Sequence, residues 1–294
     1  MSLRAPSHFF LLRSGSPLPM STILDQIKQF KLTEVAARKR RRSLEELQRI
    51  AERKSPPRGF KLAIDAQICR GRPAVIAEMK RCSPSKGVLR EDYVPVDIAA
   101  AYALGGATCL SVLTDHEFFG GDDIHVRDAR KGCSLPVLRK EFVVDAYQIV
   151  ESRALGADCV LLILAMIDDD LAAQLEKTAH ALGMDVIAET HTPEEMQRAL
   201  GMSCGLIGVN NRDLHTFEVS LEISERLRPL VPDGRTMVSE SGLTSSADLA
   251  RLMTYDVGAF LVGESLMRQQ DLATAMRSLI AVPASTEADR ARLS

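Results

Sequence analysis

The residues best suited to chemistry are lysines and carboxylates that close short apolar runs. Ile76-Ala77-Glu78-Met79-Lys80 sets opposite charges two positions apart, Arg139-Lys140-Glu141-Phe142 follows Val137-Leu138, and Ile187-Ala188 leads into Glu189. Further along stand Gly208-Val209-Asn210-Asn211-Arg212-Asp213 and Ser239-Glu240-Ser241-Gly242. Side chains alternate between faces in an extended run, so Glu78 and Lys80 share a face; Asn210 and Arg212 share one if the extension continues. Amines and carboxylates gathered at one mouth are the groups of general acid–base catalysis. Taken singly, each end also reads as a structural ion pair or a capped strand, because burying such charges unpaired is costly. Taken together, five such ends point to one pocket if the fold brings them to a common rim.

Two later junctions have the chemistry of an anion cup. Ser241-Gly242-Leu243 and Val262-Gly263-Glu264-Ser265 each carry a glycine that lets backbone N–H groups approach a phosphate. Helix capping by Ser241 or Ser265 is compatible with that role. Glu264 is an awkward neighbour for an anion, so its side chain is expected to turn outward. Ser83-Pro84-Ser85-Lys86-Gly87 reads either as a mobile anion-contacting loop or as an ordinary turn. The histidines at 8, 116, 125, 180, 191 and 215 have no metal-ligand spacing, and no catalytic role is assigned to them. The cysteines at 69, 82, 109, 133, 159 and 204 form no close pair, which fits free thiols in a reducing cytoplasm and neither zinc nor an iron–sulfur cluster.

The elements that must position these groups follow a repeating grammar. Strand candidates are Ala74 to Lys80, Cys109 to Thr114, Val137 to Phe142, Cys159 to Leu164, Val186 to Glu189, Leu206 to Asn210, Thr236 to Ser239 and Ala259 to Val262. Amphipathic segments separate them, several ending in a glycine such as Gly105-Gly106, Gly156, Gly183 or Gly201. Eight parallel βα units predict an α/β fold, a (β/α)8 TIM barrel whose active site lies at the carboxyl ends of the strands. No G-x-G-x-x-G follows an early strand, which disfavours a dinucleotide fold.

The chain has 294 residues, 46% of them hydrophobic, room for one barrel and an extension. An N-terminal helical extension is expected over 20–55, within one domain spanning 20–283; the basic run Arg38 to Arg42 is read as a solvated helix face. Residues 1–19 are expected to be a disordered leader and 284–294 a flexible tail. Lysine and arginine number 37 against 39 acidic residues, a net charge of -2 that offers no general field for nucleic acid or an anionic membrane. No apolar stretch reaches membrane-spanning length.

Glu78-Met79-Lys80-Arg81-Cys82-Ser83-Pro84-Ser85-Lys86-Gly87 resembles the E-x-K-x-x-S-P-S-x-G signature of the indole-3-glycerol-phosphate synthase family. The blocks around Lys140, Glu189, Asn210 to Leu214, Glu240 to Gly242 and Leu261 to Ser265 resemble its later motifs in the same order, so that the likeness runs from about Ile23 to Ile280. The resemblance implies conversion of 1-(2-carboxyphenylamino)-1-deoxyribulose 5-phosphate to indole-3-glycerol phosphate, carbon dioxide and water in tryptophan biosynthesis, without metal or organic cofactor. It implies Lys140 as general acid of the condensation, Glu189 as base of the dehydration, and Lys80 as the contact to the substrate carboxylate and a later acid. It gives Glu78, Asn210 and Arg212 orienting or electrostatic roles. Ser83, Glu240, Ser241, Gly242, Gly263 and Glu264 fall to the substrate and its phosphate, and Phe142 with Leu162 to the apolar floor under the aromatic ring. The partner it implies is a small anionic phosphate ester; it admits other tryptophan-pathway enzymes as partners, and a monomer or weak homodimer.

Three other readings stay open from the residues themselves. A phosphoribosylanthranilate isomerase would use cysteine and aspartate where this chain offers lysine and glutamate. A Schiff-base aldolase would use Lys80 or Lys140 as nucleophile. A noncatalytic binding barrel would fill its mouth with closed Glu–Lys pairs.

Overall fold

The apolar runs become strands because residues covered on both faces favour a parallel sheet. In the computed structural model, which describes residues 23–84, 86–213 and 216–282, eight of them close into a barrel. They are β1 (Ala74–Met79), β2 (Cys109–Leu113), β3 (Val137–Lys140), β4 (Cys159–Ile163), β5 (Asp185–Thr190), β6 (Leu206–Asn210), β7 (Thr236–Glu240) and β8 (Ala259–Val262). Each pairs in parallel with its sequence neighbours, and β1 pairs with both β2 and β8, so no edge is left unpaired.

Register decides which side chains meet. Glu78 lies opposite Ser111, Leu113 opposite Lys140, Ile163 opposite Glu189, Glu189 opposite Gly208 and Asn210 opposite Glu240. Register partners in neighbouring parallel strands project to the same side. Lys140 reaches Glu240 on the far wall, which fixes that side as the interior. Leu162 is out of phase with this set: it lies opposite Ala188 and faces the helices, whereas Leu161 and Ile163 face inward. The expected place of Leu162 in the ring floor is therefore corrected, since a shift of one residue turns a side chain to the other face.

The chain before β1 is helical, as expected, and holds three helices, two in the extension and a third directly before the barrel. α1 (Ile23–Arg41) ends before Ser43, whose Oγ accepts from the Glu46 N–H and starts α2 (Leu44–Glu52). α3 (Phe60–Ile68) begins after Gly59, which takes a φ of 71°. α3 closes the end of the barrel away from the charged rim. Phe60 and Ile64 are fully buried, the Lys61 N–H donates to Asp185 at the start of β5, and Thr236 at the start of β7 donates to Asp65.

α1 crosses the other end. Its Lys31, 1% exposed, sends Nζ to Asp115 at 2.7 Å, Glu141 at 2.9 Å and Glu34 at 2.8 Å. Arg38 pairs with Asp123 at 2.8 Å and Glu151 at 3.0 Å, the carboxylates that also hold the buried Arg139. Arg38 is thus a clamp from α1 to the barrel wall and not part of a solvated basic face.

The helix ends follow the sequence in most places. Gly106 and Gly156 close their helices with φ of 94° and 101°, while Gly201 is the last helical residue and Met202 caps in extended form. Asp168 caps its helix by accepting from the Leu171 N–H. All six cysteines are free; Cys109, Cys159 and Cys204 are buried, Cys82 and Cys133 half-buried and Cys69 exposed. No described helix is long and apolar enough to cross a membrane. The expected leader 1–19 and tail 284–294 lie outside the described residues.

Candidate active site

The strand ends deliver their charges to one interior cluster. Lys80 Nζ lies 2.6 Å from Glu78 Oε1, and Lys140 Nζ lies 2.8 Å from Glu240 Oε2, 3.6 Å from Glu189 Oε2 and 4.0 Å from Glu78 Oε2. Asn210 Nδ2 donates to Glu189 Oε1 at 3.3 Å, and Ser241 Oγ donates to Asn210 Oδ1 at 2.8 Å. Seven residues, from β1 and the position after it, β3, β5, β6, β7 and the loop after β7, therefore form one connected set.

The electrostatics of this set divide its members. Burial disfavours the charge on Lys140, but the carboxylates of Glu240, Glu189 and Glu78 outweigh it and hold the amine well above its ordinary range. Burial opposes ionisation of Glu78 too, and Lys80 and Lys140 reverse it, keeping that carboxyl below the usual range. Glu189 is held down to about 2 against burial, by Lys140, by His191 and by the Asn210 amide. Glu240 goes the other way: burial, with Glu189 and Glu78 adding, pushes it up to about 7 against the pull of Lys140. Three carboxylates face two amines, so the least solvated one is the natural holder of a proton.

The glycines next to the cluster are matched to it. A Cβ on Gly263 would meet Glu78 Oε1 at 2.4 Å, and one on Gly208 would meet Glu240 Oε1 at 2.5 Å. Ser241 and Gly242 both take left-handed backbone, with φ of 69° and 78°. This turn, and the one-turn helix Glu264–Met267 that follows Gly263, leave backbone N–H groups at the rim. A buried, charged acid–base set beside an anion-suited rim is the arrangement of a phosphate-ester enzyme.

A model of the indole-3-glycerol phosphate synthase family matches residues 24–279. The chain belongs to that family. It is accordingly a carboxy-lyase of tryptophan biosynthesis, closing the indole ring of indole-3-glycerol phosphate.

Within an indole-3-glycerol phosphate synthase the remaining residues fall as follows. Ser83 follows β1 in a short antiparallel hairpin, Cys82–Ser83 against Gly87–Val88, rather than in an open loop, and its buried Oγ has no hydrogen-bond partner among the described residues. Ser85 of the same motif lies outside the described residues. Phe142 sits beyond β3 with its ring centroid 6.0 Å from that of Phe119. Glu264 turns to Arg268 at 3.3 Å, and Ser265 Oγ bonds the Leu243 carbonyl at 3.0 Å.

Two expected members are placed differently. Glu240 is 2% exposed and sits on Lys140, inside the ionic cluster rather than at the phosphate rim, where a carboxylate would repel the ligand. Arg212 lies past β6, in an isolated bridge with Val219, and its guanidinium donates to the Phe217 carbonyl at 3.2 Å. The extended geometry ends at Asn210, whose Oδ1 accepts from the Arg212 N–H, so Arg212 does not join the cluster.

Two site residues escaped the sequence. His191, assigned no role by spacing, lies with Nε2 3.3 Å from Glu189 Oε1. Ser111 lies opposite Glu78 in the interior, and its Oγ has no partner among the described residues. Position one beyond a strand end was the available signal for His191; Ser111 looks like ordinary strand sequence.

Proposed function

We propose that Lys140 is the general acid that starts ring closure and Glu189 the base that finishes it. A carbon of the anthranilate ring attacks the ketone carbon of the deoxyribulose chain. As that bond forms, the ketone oxygen takes a proton from Lys140, whose amine the three carboxylates keep charged and ready. Loss of carbon dioxide returns its bonding pair to the ring. The new hydroxyl then leaves as water, protonated by Lys80, while Glu189 removes the proton whose departure completes the indole double bond. Carbon dioxide and water leave with no net oxidation, so the aromatic ring and the protonated carbonyl supply the electron movement and the reading calls for no cofactor or metal.

The other residues bind and orient. Glu78 fixes Lys80 at 2.6 Å, so a substrate carboxylate arriving at Lys80 finds its amine already aimed. Asn210 ties Glu189 to Ser241 and so to the phosphate turn. Ser83 Oγ and the backbone N–H groups of Gly242, Gly263 and Glu264 receive the phosphate. Phe142 and Phe119, with Ile163 in the same interior layer as Glu189, give the anthranilate ring an apolar bed. Arg212 acts at the rim through its positive charge on the anionic substrate.

The observation that carries this reading is the 3.6 Å approach of Lys140 to Glu189 inside one closed barrel. Single-turnover assays of carbon dioxide release and indole formation test it. Lys140→Ala is expected to stop both, and Glu189→Gln to release carbon dioxide while indole lags. Indole lagging in neither variant would remove the division of roles. Borohydride is expected to trap no imine, whereas a trapped one would favour the aldolase chemistry of a lysine nucleophile.

The substrate is a small anionic phosphate ester. A monomer or weak homodimer is the proposed state, with pathway enzymes as its natural neighbours. The buried free thiols suit the cytoplasm, and the net charge of -2 suits neither nucleic acid nor an anionic membrane.

A further inference from the structure

His191 is a titratable group in contact with the cluster that the mechanism above does not use. It follows β5, its side chain is 7% exposed, and it lies between two carboxylates. Nε2 is 3.3 Å from Glu189 Oε1, a charge contact rather than an aligned hydrogen bond, and Nδ1 is 3.1 Å from Glu195 Oε2.

Glu195 is itself fixed. It lies in the first turn of helix Pro193–Gly201, where the Thr192 hydroxyl accepts from its backbone N–H at 3.2 Å. Its carboxylate turns back and accepts from the His191 backbone N–H at 2.7 Å. The helix start therefore sets Glu195, Glu195 sets the imidazole, and the imidazole faces Glu189. A cation before a helix N-terminus is unfavourable on its own, and an acidic first turn offsets that.

We propose that His191 is a positioning residue, clamped between Glu195 and Glu189, that holds the Glu189 carboxylate in its catalytic orientation. The inference rests on Glu189 being the base. The groups around the clamp support it. Glu189 faces Lys140 at 3.6 Å from β3, the Asn210 amide at 3.3 Å from β6, and His191 beyond its own strand. His191 faces Glu189 and Glu195, with the exposed Glu194 also in the first turn of that helix. Burial disfavours an imidazolium, yet the two carboxylates outweigh it and raise the group to about 10. At neutral pH the imidazole is charged, and Glu189 has a second cation besides Lys140.

Steady-state kinetics over pH, with folding checked by circular dichroism, test this. His191→Ala is expected to lower kcat about 10- to 100-fold with KM within about threefold, because a misplaced base affects the chemical step. The acid limb of its kcat profile is expected to move up by about one pH unit, since Glu189 loses a neighbouring cation. His191→Gln, which can still donate but carries no charge, is expected to recover much of kcat and keep the shifted limb. Wild-type kcat and limb in both variants would overturn the proposal, as would a fall in kcat with an unmoved limb, the mark of a merely structural residue. Should the variants fail to fold, 15N-histidine NMR of the wild type decides: an imidazolium at pH 8 is expected, and a neutral ring would overturn it. Glu189→Gln with undiminished indole formation would instead remove the base assignment beneath the inference; an inactive Glu189→Gln beside unaffected His191 variants would overturn the inference alone.

Discussion

Lys140 Nζ bonds Glu240 Oε2 at 2.8 Å across the barrel, joining β3 to β7 through the interior. That contact ties the acid of the proposed reaction to the carboxyl that burial pushes up to about 7. The pair makes charge and proton supply properties of one place, and three predictions follow from it and from the helix above it.

Lys140→Arg keeps the positive charge for Glu240, Glu189 and Glu78 but replaces a compact amine with a guanidinium that does not give up a proton. Activity is expected to fall about 10²- to 10⁴-fold, the usual worth of a general acid. Stability in urea is expected to stay within about 2 kcal/mol, since the cluster keeps its cation. An active variant would mean that Lys140 acts by charge alone.

Lys31→Met removes the buried cation that α1 inserts between Asp115 and Glu141. Leaving buried carboxylates without their partner costs about 3–5 kcal/mol, which chemical denaturation measures directly. Helix α1 is expected to become the first site of proteolytic cleavage and KM to rise, because Glu141 lies between Lys140 and Phe142. A loss below about 1 kcal/mol would show that α1 is held by its apolar face and by Arg38.

Glu240 also gives stability a pH dependence. Its folded value of about 7 lies above the ordinary 4.5, so between these values the folded chain binds a proton that the unfolded chain has released. The contribution of this group therefore declines as pH rises through that window and is level above it, a change of roughly 1–3 kcal/mol. Glu240→Gln is expected to flatten the wild-type decline. Guanidinium midpoints of both proteins at pH 5 and pH 8 give the comparison, and equal slopes would contradict the assignment of the proton to Glu240.

Much of this was legible in the sequence because the barrel has a simple code. Runs such as Cys159 to Leu164, closed by polar ends and glycine turns, marked all eight strands, and period two put Glu78 and Lys80 on one face. The same code failed by a single position at Leu162: a run of Val160-Leu161-Leu162-Ile163 is apolar on both faces, and only the pairing of Ile163 with Glu189 reveals which face is inside. Arg212 was misplaced because parity holds only while the chain stays extended, and the strand stops at Asn210. Arg38 looked like a solvated charge because its partner Glu151 lies more than a hundred residues away. His191 was missed for a similar reason: metal spacing is a local pattern, whereas its contact with Glu189 depends on where a helix start turns Glu195.

The most direct test of the central claim is to give the purified protein 1-(2-carboxyphenylamino)-1-deoxyribulose 5-phosphate and follow indole fluorescence beside a folded Lys140→Ala variant. Robust product from the wild type and near-total loss in the variant are the expected result. Equal product from both would contradict the assignment of Lys140 as the acid and move that role to Lys80.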